Sequence, residues 1–199
     1  MIEHIIFDLG NVLIDIHPEK TLDELAERTG KYRTELQDFF LSPTHLNFMG
    51  GTLSPTEFYR EFVNRYDCDI SYYRFAAIWK RLIGEPKTGI ASLIHRLSGN
   101  YTLSVCSNTD PLHWRVAQKN CTFLINFNFF FLSYKLNLLK PETAIYHAMI
   151  TSLKTVPEKC VFIDDTRENV QSAKSIGIHA IHADTIETML KELSKIEVL

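Results

Sequence analysis

The chain has 199 residues, 45% of them hydrophobic, with only 8 glycines and 7 prolines; that is enough apolar material for one compact core and too little loop-former for a long disordered tail or linker. Its formal net charge is -3, with lysines and arginines scattered singly, so it carries no electrostatic footprint for nucleic acid or an anionic membrane surface, and a small-molecule partner is expected instead. No apolar run approaches the roughly 18 residues needed to span a bilayer, and the opening MIEHIIFD lacks the basic start of an export signal.

The first element is IIFD at 5–8, a short apolar run that ends abruptly in a carboxylate and reads as a buried parallel strand. From about Pro18 to Glu85 every pattern is helical in period: TLDELAERTG, TELQDFFL, SPTEFYREFVNRY and YRFAAIWKRLI. Ser54, Pro55 and Glu57 supply an N-cap, a first-turn proline and a capping-box acid. Beyond this stretch, helix and strand alternate. Helices are predicted at Pro86–Leu97, Pro111–Lys119, Pro141–Leu153, Arg167–Ile176 and Thr185–Lys195, and strands at LSVCSN (103–108), Phe129–Leu132, CVFIDD (160–165) and Ile178–Ala183. The phenylalanine-rich stretch 127–131 is expected to be plain buried core. Such alternation implies an α/β fold, a parallel sheet with helices on both faces. The helical segment 18–85 is then an insertion after the first strand, dividing a core domain of residues 1–17 and 86–199. The cysteines, Cys68, Cys106, Cys121 and Cys160, have no C-x-x-C spacing and no nearby histidine pair, and free thiols in a reduced, cytoplasmic protein are expected.

In an open parallel sheet, ligands bind outside the carboxyl ends of the strands. The side chains that stand there are Asp8, Ser107 with Asn108, and Asp164 with Asp165. Each type also ends strands and caps helices for purely local reasons. Together they deliver carboxylates and a hydroxyl to one rim, as a hard divalent cation and a phosphate require. Lys140, just before Pro141 and Glu142, sits at the positive end of the helix expected there, where a cation is disfavoured unless an anion accompanies it.

DLGNVL, SNT, KPE and DDTREN occur in this order along the chain and resemble the four motifs of the haloacid dehalogenase superfamily. The likeness is greatest to its α-D-glucose-1-phosphate phosphatase group and more distant to the N-terminal phosphatase of soluble epoxide hydrolase. The resemblance implies a Rossmann-like core with a helical C1 cap, and Mg2+-dependent hydrolysis of a small phosphorylated metabolite, such as a sugar phosphate, through an aspartyl-phosphate. It makes Asp8 the nucleophile and Lys140 the cation between Asp8 and the phosphoryl oxygens. Ser107 and the backbone N–H of Asn108 would hold the phosphate. Mg2+ would be bound by Asp8, the Gly10 carbonyl and Asp165, with Asp164 behind them; successive residues of an extended strand face opposite ways, so only one of the adjacent pair can ligate directly.

Most phosphatases of the superfamily carry a second aspartate two residues after the nucleophile, for general acid–base catalysis worth about 10²- to 10⁴-fold. Here that position is Gly10. Either the leaving group is good, or another acid is recruited, with Asp15, His17 and His45 as candidates, or the chain is catalytically weak and binds phosphate ligands. A metal-independent 2-haloacid dehalogenase also lacks the second acid, but adjacent Asp164 and Asp165 beside Asp8 would repel its carboxylate substrate unless a cation stood among them. Asn137 and Leu139 replace the Gly and Arg that such relatives tend to carry before KP; asparagine tolerates the left-handed backbone a glycine would supply.

Overall fold

The computed structural model describes residues 1–199. In chain order the elements are β1 (His4–Phe7), β2 (Ile14–Ile16), α1 (Pro18–Thr29), α2 (Arg33–Phe40), α3 (Pro43–Met49), α4 (Pro55–Tyr66), α5 (Tyr72–Trp79), β3 (Ile83–Pro86), α6 (Ile90–Ser98), β4 (Thr102–Ser107), α7 (Pro111–Asn120), β5 (Phe129–Leu132), α8 (Ser133–Leu136), α9 (Thr143–Leu153), β6 (Cys160–Asp164), α10 (Arg167–Ser175), β7 (His179–His182) and α11 (Ile186–Lys195). Five strands form a parallel sheet in the order β5-β4-β1-β6-β7, the expected Rossmann-like α/β core. No helix is long and apolar enough to cross a membrane.

Strand alternation divides the core. Ile5, Phe7, Val105 and Ile163 point to one face, where α6, α7 and α11 cover them. Ile6, Cys106 and Phe162 point to the other, under α9 and α10. In this register Phe7 lies level with Val105 on one side and Ile163 on the other, so Asp8, Ser107 and Asp164 reach the same rim from three adjacent strands.

Helices α1–α5 bury a separate cluster dominated by aromatic rings, among them Phe39, Phe48, Phe58, Phe62, Phe75 and Trp79, and Leu112 of α7 is its one member from outside the helical run. The Ser54 capping box forms as the sequence predicts. Besides the packing of Leu112 and α7 against it, the segment is tied to the rest of the molecule at its root and at its far side. At its root β2 and β3 pair as an antiparallel ribbon. At its far side the Met49–Gly51 turn docks on α8: the Ser133 hydroxyl lies 2.7 Å from the Met49 carbonyl, and Asn137 Nδ2 donates to the Gly50 carbonyl at 2.8 Å. Gly51 has φ +77°, and a Cβ there would collide with the Tyr134 carbonyl.

Several local expectations are corrected. Residues 83–86, read as the end of the helical run and the start of the next helix, are strand β3, and α6 begins only at Ile90. Pro141 stands outside α9, which starts at Thr143 behind an extended Glu142. Phe129 and Phe130 are more than one-third exposed, because β5 is the edge of the sheet. Asn137 takes the left-handed conformation expected of it, φ 55°. All four cysteines are free.

Candidate active site

A cleft of about 500 Å³ opens at the carboxyl end of the sheet, lined by Asp8, Gly10, Ser107, Asn108, Lys140 and Asp165, together with Asn11, Thr109, His113, Glu168 and the aliphatic side chains Ile14, Ile16, Leu82 and Ile83. No residue of α1–α5 lines it. Carboxylate oxygens of Asp8, Asp164 and Asp165 all lie within 4.8 Å of one another.

Lys140 is the hub of the rim. Its Nζ donates to Asp8 Oδ1 at 2.7 Å and to Asp164 Oδ2 at 2.6 Å, and it stands 5.5 Å from the centre of the Phe162 ring. Its main chain is clamped by the Asn108 side chain: Asn108 Oδ1 accepts from the Lys140 N–H at 2.9 Å, and Nδ2 donates to the Lys140 carbonyl at 2.8 Å. Burial opposes the ammonium charge, but Asp8 and Asp164 outweigh it and hold Lys140 above the ordinary lysine range, so it stays charged throughout the physiological range. Burial raises the Asp8 carboxyl to about 6, against the pull of Lys140 and with the push of Asp164.

The adjacent aspartates divide as strand geometry requires. Asp164 is fully buried and spent inside the protein: besides Lys140, it accepts from the Thr166 N–H at 2.8 Å and from Asn169 Nδ2 at 3.0 Å. Asp165 faces the cleft, accepts from Asn11 Nδ2 at 2.9 Å, and has its main-chain carbonyl held by His182 Nε2 at 2.8 Å.

The residues weighed as substitute acids lie elsewhere. Asp15 pairs with Lys87 at 2.8 Å, and neither it nor His17 lines the cleft. His45 is buried among the aromatic rings of the helical segment, with Nδ1 on the Phe40 carbonyl at 2.8 Å. The place that a side chain at Gly10 would take is crowded by Ile16, whose Cγ2 would stand 3.3 Å from an added Cβ.

One residue escaped the sequence reading. His113, in the first turn of α7, lines the cleft and joins the helical segment to the loop after β4. Its Nδ1 is 2.7 Å from Asp110 Oδ2 and its Nε2 2.8 Å from the Trp79 carbonyl, while Trp79 Nε1 donates to Asp110 Oδ2 at 3.0 Å. Asp110 Oδ1 also caps α7. Burial disfavours the imidazolium, but the Asp110 carboxylate prevails and raises its pKa. The sequence places a helix at Pro111–Lys119; the Asp110–His113 pair is local to its first turn, but its bonds to Trp79 span more than 30 positions and show only in the fold.

The chain belongs to the haloacid dehalogenase-like hydrolase family, whose sequence model matches residues 2–177. It is 23% identical over 203 residues to D-ribitol-5-phosphate phosphatase of Bacteroides thetaiotaomicron, covering 98% of each chain. It is 23% identical over 190 residues to the sesquiterpene phosphatase astK of Aspergillus oryzae, covering 94% of this chain and 92% of that one. Among solved structures it resembles the HAD family enzyme bt-2542 of B. thetaiotaomicron in complex with magnesium and inorganic phosphate, with a TM-score of 0.83, 26% identity, and coverage of 90% of this chain and 93% of that one.

Proposed function

We propose that the protein is a Mg2+-dependent phosphomonoesterase acting on a small phosphorylated metabolite, with Asp8 as nucleophile. The observation that carries the reading is the cluster of three carboxylates, Asp8, Asp164 and Asp165, at the cleft, two of which, Asp8 and Asp164, are bridged by the buried Lys140. Three anionic groups and one cation leave an excess of negative charge that a divalent ion would neutralise. Asp8, Asp165 and the Gly10 carbonyl are the oxygen donors that would hold it. Asp164 has its oxygens committed to Lys140, Thr166 and Asn169, which suits it to a supporting part. When bound, Mg2+ would neutralise charge on the phosphoryl oxygens. The magnesium and phosphate in bt-2542 and the phosphatase activity named for the full-length relatives support this assignment.

In the reaction, Asp8 Oδ2, the oxygen that Lys140 leaves free, attacks phosphorus and displaces the alcohol oxygen; water then attacks the aspartyl-phosphate, releasing phosphate and restoring Asp8. Ser107 and the Asn108 N–H hold the phosphoryl oxygens. Lys140 fixes the nucleophile's orientation and offsets its charge. The departing alkoxide takes its proton from water, since Gly10 offers none. Helices α1–α5, as a cap spanning 18–85 on a core of 1–17 and 86–199, would shield the cleft; their separate aromatic cluster supports treating them as one body. The ribitol phosphate relative supports a sugar or polyol phosphate such as glucose 1-phosphate, and the terpene relative marks an apolar extreme. The test is phosphate release from a panel of phosphomonoesters with and without Mg2+. Turnover of 2-haloacids in its place would establish the dehalogenase alternative.

A further inference from the structure

We propose that the alcohol released is recognised by an aliphatic surface, and that the preferred substrates are phosphomonoesters whose leaving group presents hydrocarbon, not a chain of hydroxyls, to the protein. The inference rests on the phosphatase reading and, between the polyol and apolar substrates to which the relatives point, selects the apolar end. Its basis is the division of labour in the cleft. Nearly all the polar side chains there are already engaged with the protein itself: Asn11 with Asp165, Asn108 with the Lys140 main chain, His113 with Asp110 and Trp79, and Asn169 with Asp164. Of the rest, Ser107 is assigned to the phosphate, which leaves Thr109, Thr166 and Glu168 as the main side chains for a hydroxylated substrate.

The rest of the lining is aliphatic. The β2–β3 ribbon sets Ile16 directly across from Ile83, Leu82 lines the cleft beside them, and the fully buried Ile14 backs them. Ile16, Leu82 and Ile83 are only partly buried, so part of their hydrocarbon is left for a ligand to cover. A polyol seated on these side chains would lose water from several hydroxyls and find few partners, whereas each methylene buried there gains about 0.8 kcal/mol, roughly fourfold in kcat/KM. Ile16 also packs closely against Gly10, so the residue that crowds the position of the missing acid is part of the surface that selects the leaving group.

The experiment uses the full chain with Mg2+ and the series methyl, ethyl, n-propyl and n-butyl phosphate, whose alcohols differ little in basicity. Glycerol 3-phosphate and erythritol 4-phosphate are the polyol comparators, and their less basic leaving oxygens give them the chemical advantage. p-Nitrophenyl phosphate is the activity control. The expected result is a rise in kcat/KM of about 3- to 4-fold per methylene, expressed mainly in KM, with n-butyl phosphate at least about 10-fold better than erythritol 4-phosphate. Ile83→Thr and, separately, Ile16→Thr should flatten the series by lowering the butyl end more than the methyl end. A flat alkyl series in the wild type, or preference for the polyols while p-nitrophenyl phosphate is turned over, overturns the inference and leaves the phosphatase reading standing. No hydrolysis of any ester, the nitrophenyl control included, overturns both.

Discussion

Ile16 lies over Gly10 so closely that a β-carbon on the glycine would stand 3.3 Å from Ile16 Cγ2. The backbone at Gly10 is not left-handed, so the barrier to a side chain there is this one contact, which a shift of a few tenths of an ångström relieves. Gly10→Asp should therefore fold, with a stability loss of about 1–3 kcal/mol from overpacking. Its effect should be read in substituted aryl phosphates of similar size. Wild-type log kcat/KM should fall clearly with increasing leaving-group pKa, and Gly10→Asp should flatten that slope by supplying the proton. A flat wild-type plot would mean that some other group donates it.

Asp8→Asn should abolish turnover, by more than about 1000-fold, without lowering the melting temperature. The raised pKa of Asp8 means the folded protein holds its ionised form at a cost near neutral pH, and the neutral amide removes that cost while still accepting from Lys140. Phosphate release and a thermal melt on the same sample check both halves. Residual activity above a few per cent would dismiss Asp8 as the nucleophile.

Asp164 and Asp165 should fail in different ways. Asp165→Ala loses one exposed-side carboxylate and should fold normally but lose Mg2+-dependent activity. Asp164→Ala strips a fully buried carboxylate from Lys140, Thr166 and Asn169, and should cost about 3–5 kcal/mol in urea unfolding as well as activity. Equal stability of the two variants would show that Asp164 does not hold the rim together.

The His113–Asp110 pair sets a pH dependence of stability. His113 has its pKa raised above the usual 6.5 by Asp110 despite burial, so its contribution is complete below 6.5 and is lost as pH rises through the raised value. Asp110 is held below its usual 3.8, burial being outweighed mainly by His113, so its contribution is present above 3.8 and is lost only as pH falls through the lowered value. Unfolding free energy measured from pH 6 to 9 should decline with pH in the wild type, and the decline should be shallower in His113→Gln, where the contributions of Asp8 and the buried thiols remain.

Gly51→Ala should loosen the docked turn. The backbone there is left-handed and the added carbon would strike the Tyr134 carbonyl, a combination costing more than about 1 kcal/mol. Hydrogen exchange should quicken in 43–51 and 133–137 and stay unchanged in β1 and β6. Unchanged protection throughout would show that the contact between Met49–Gly51 and α8 does not hold the helical segment.

Legibility in the sequence followed the range of the interactions. Strands β1, β4 and β6 were plain because unbroken apolar runs ending in polar residues have few other uses, and the Ser54 cap was plain because its partners are three residues apart. The short β2 and α8 were not, since three or four residues carry no period. Edge exposure of Phe129 and Phe130 could not be read either: the residues look like core, and only the strand order leaves them outside. At the site, the residue types at the rim were legible one by one. That Asn108 clamps Lys140, that Ile16 crowds the place beside Gly10, and that His113 bridges to Trp79 all depend on contacts across 32, 6 and 34 positions of chain, the shortest of them closed by the turn between β1 and β2.

The stacking of Trp79 on His113, with ring centres 5.5 Å apart and planes within 14°, makes the root of the helical segment an optical reporter. A protonated imidazole is an efficient quencher of indole emission, and the chain has only one other tryptophan, Trp114. In a Trp114→Phe background, the remaining fluorescence would come from a single ring whose brightness records whether the helical segment sits against α7. Displacement of α5 from His113 would brighten it, giving a label-free signal in which opening and closing during turnover could be timed.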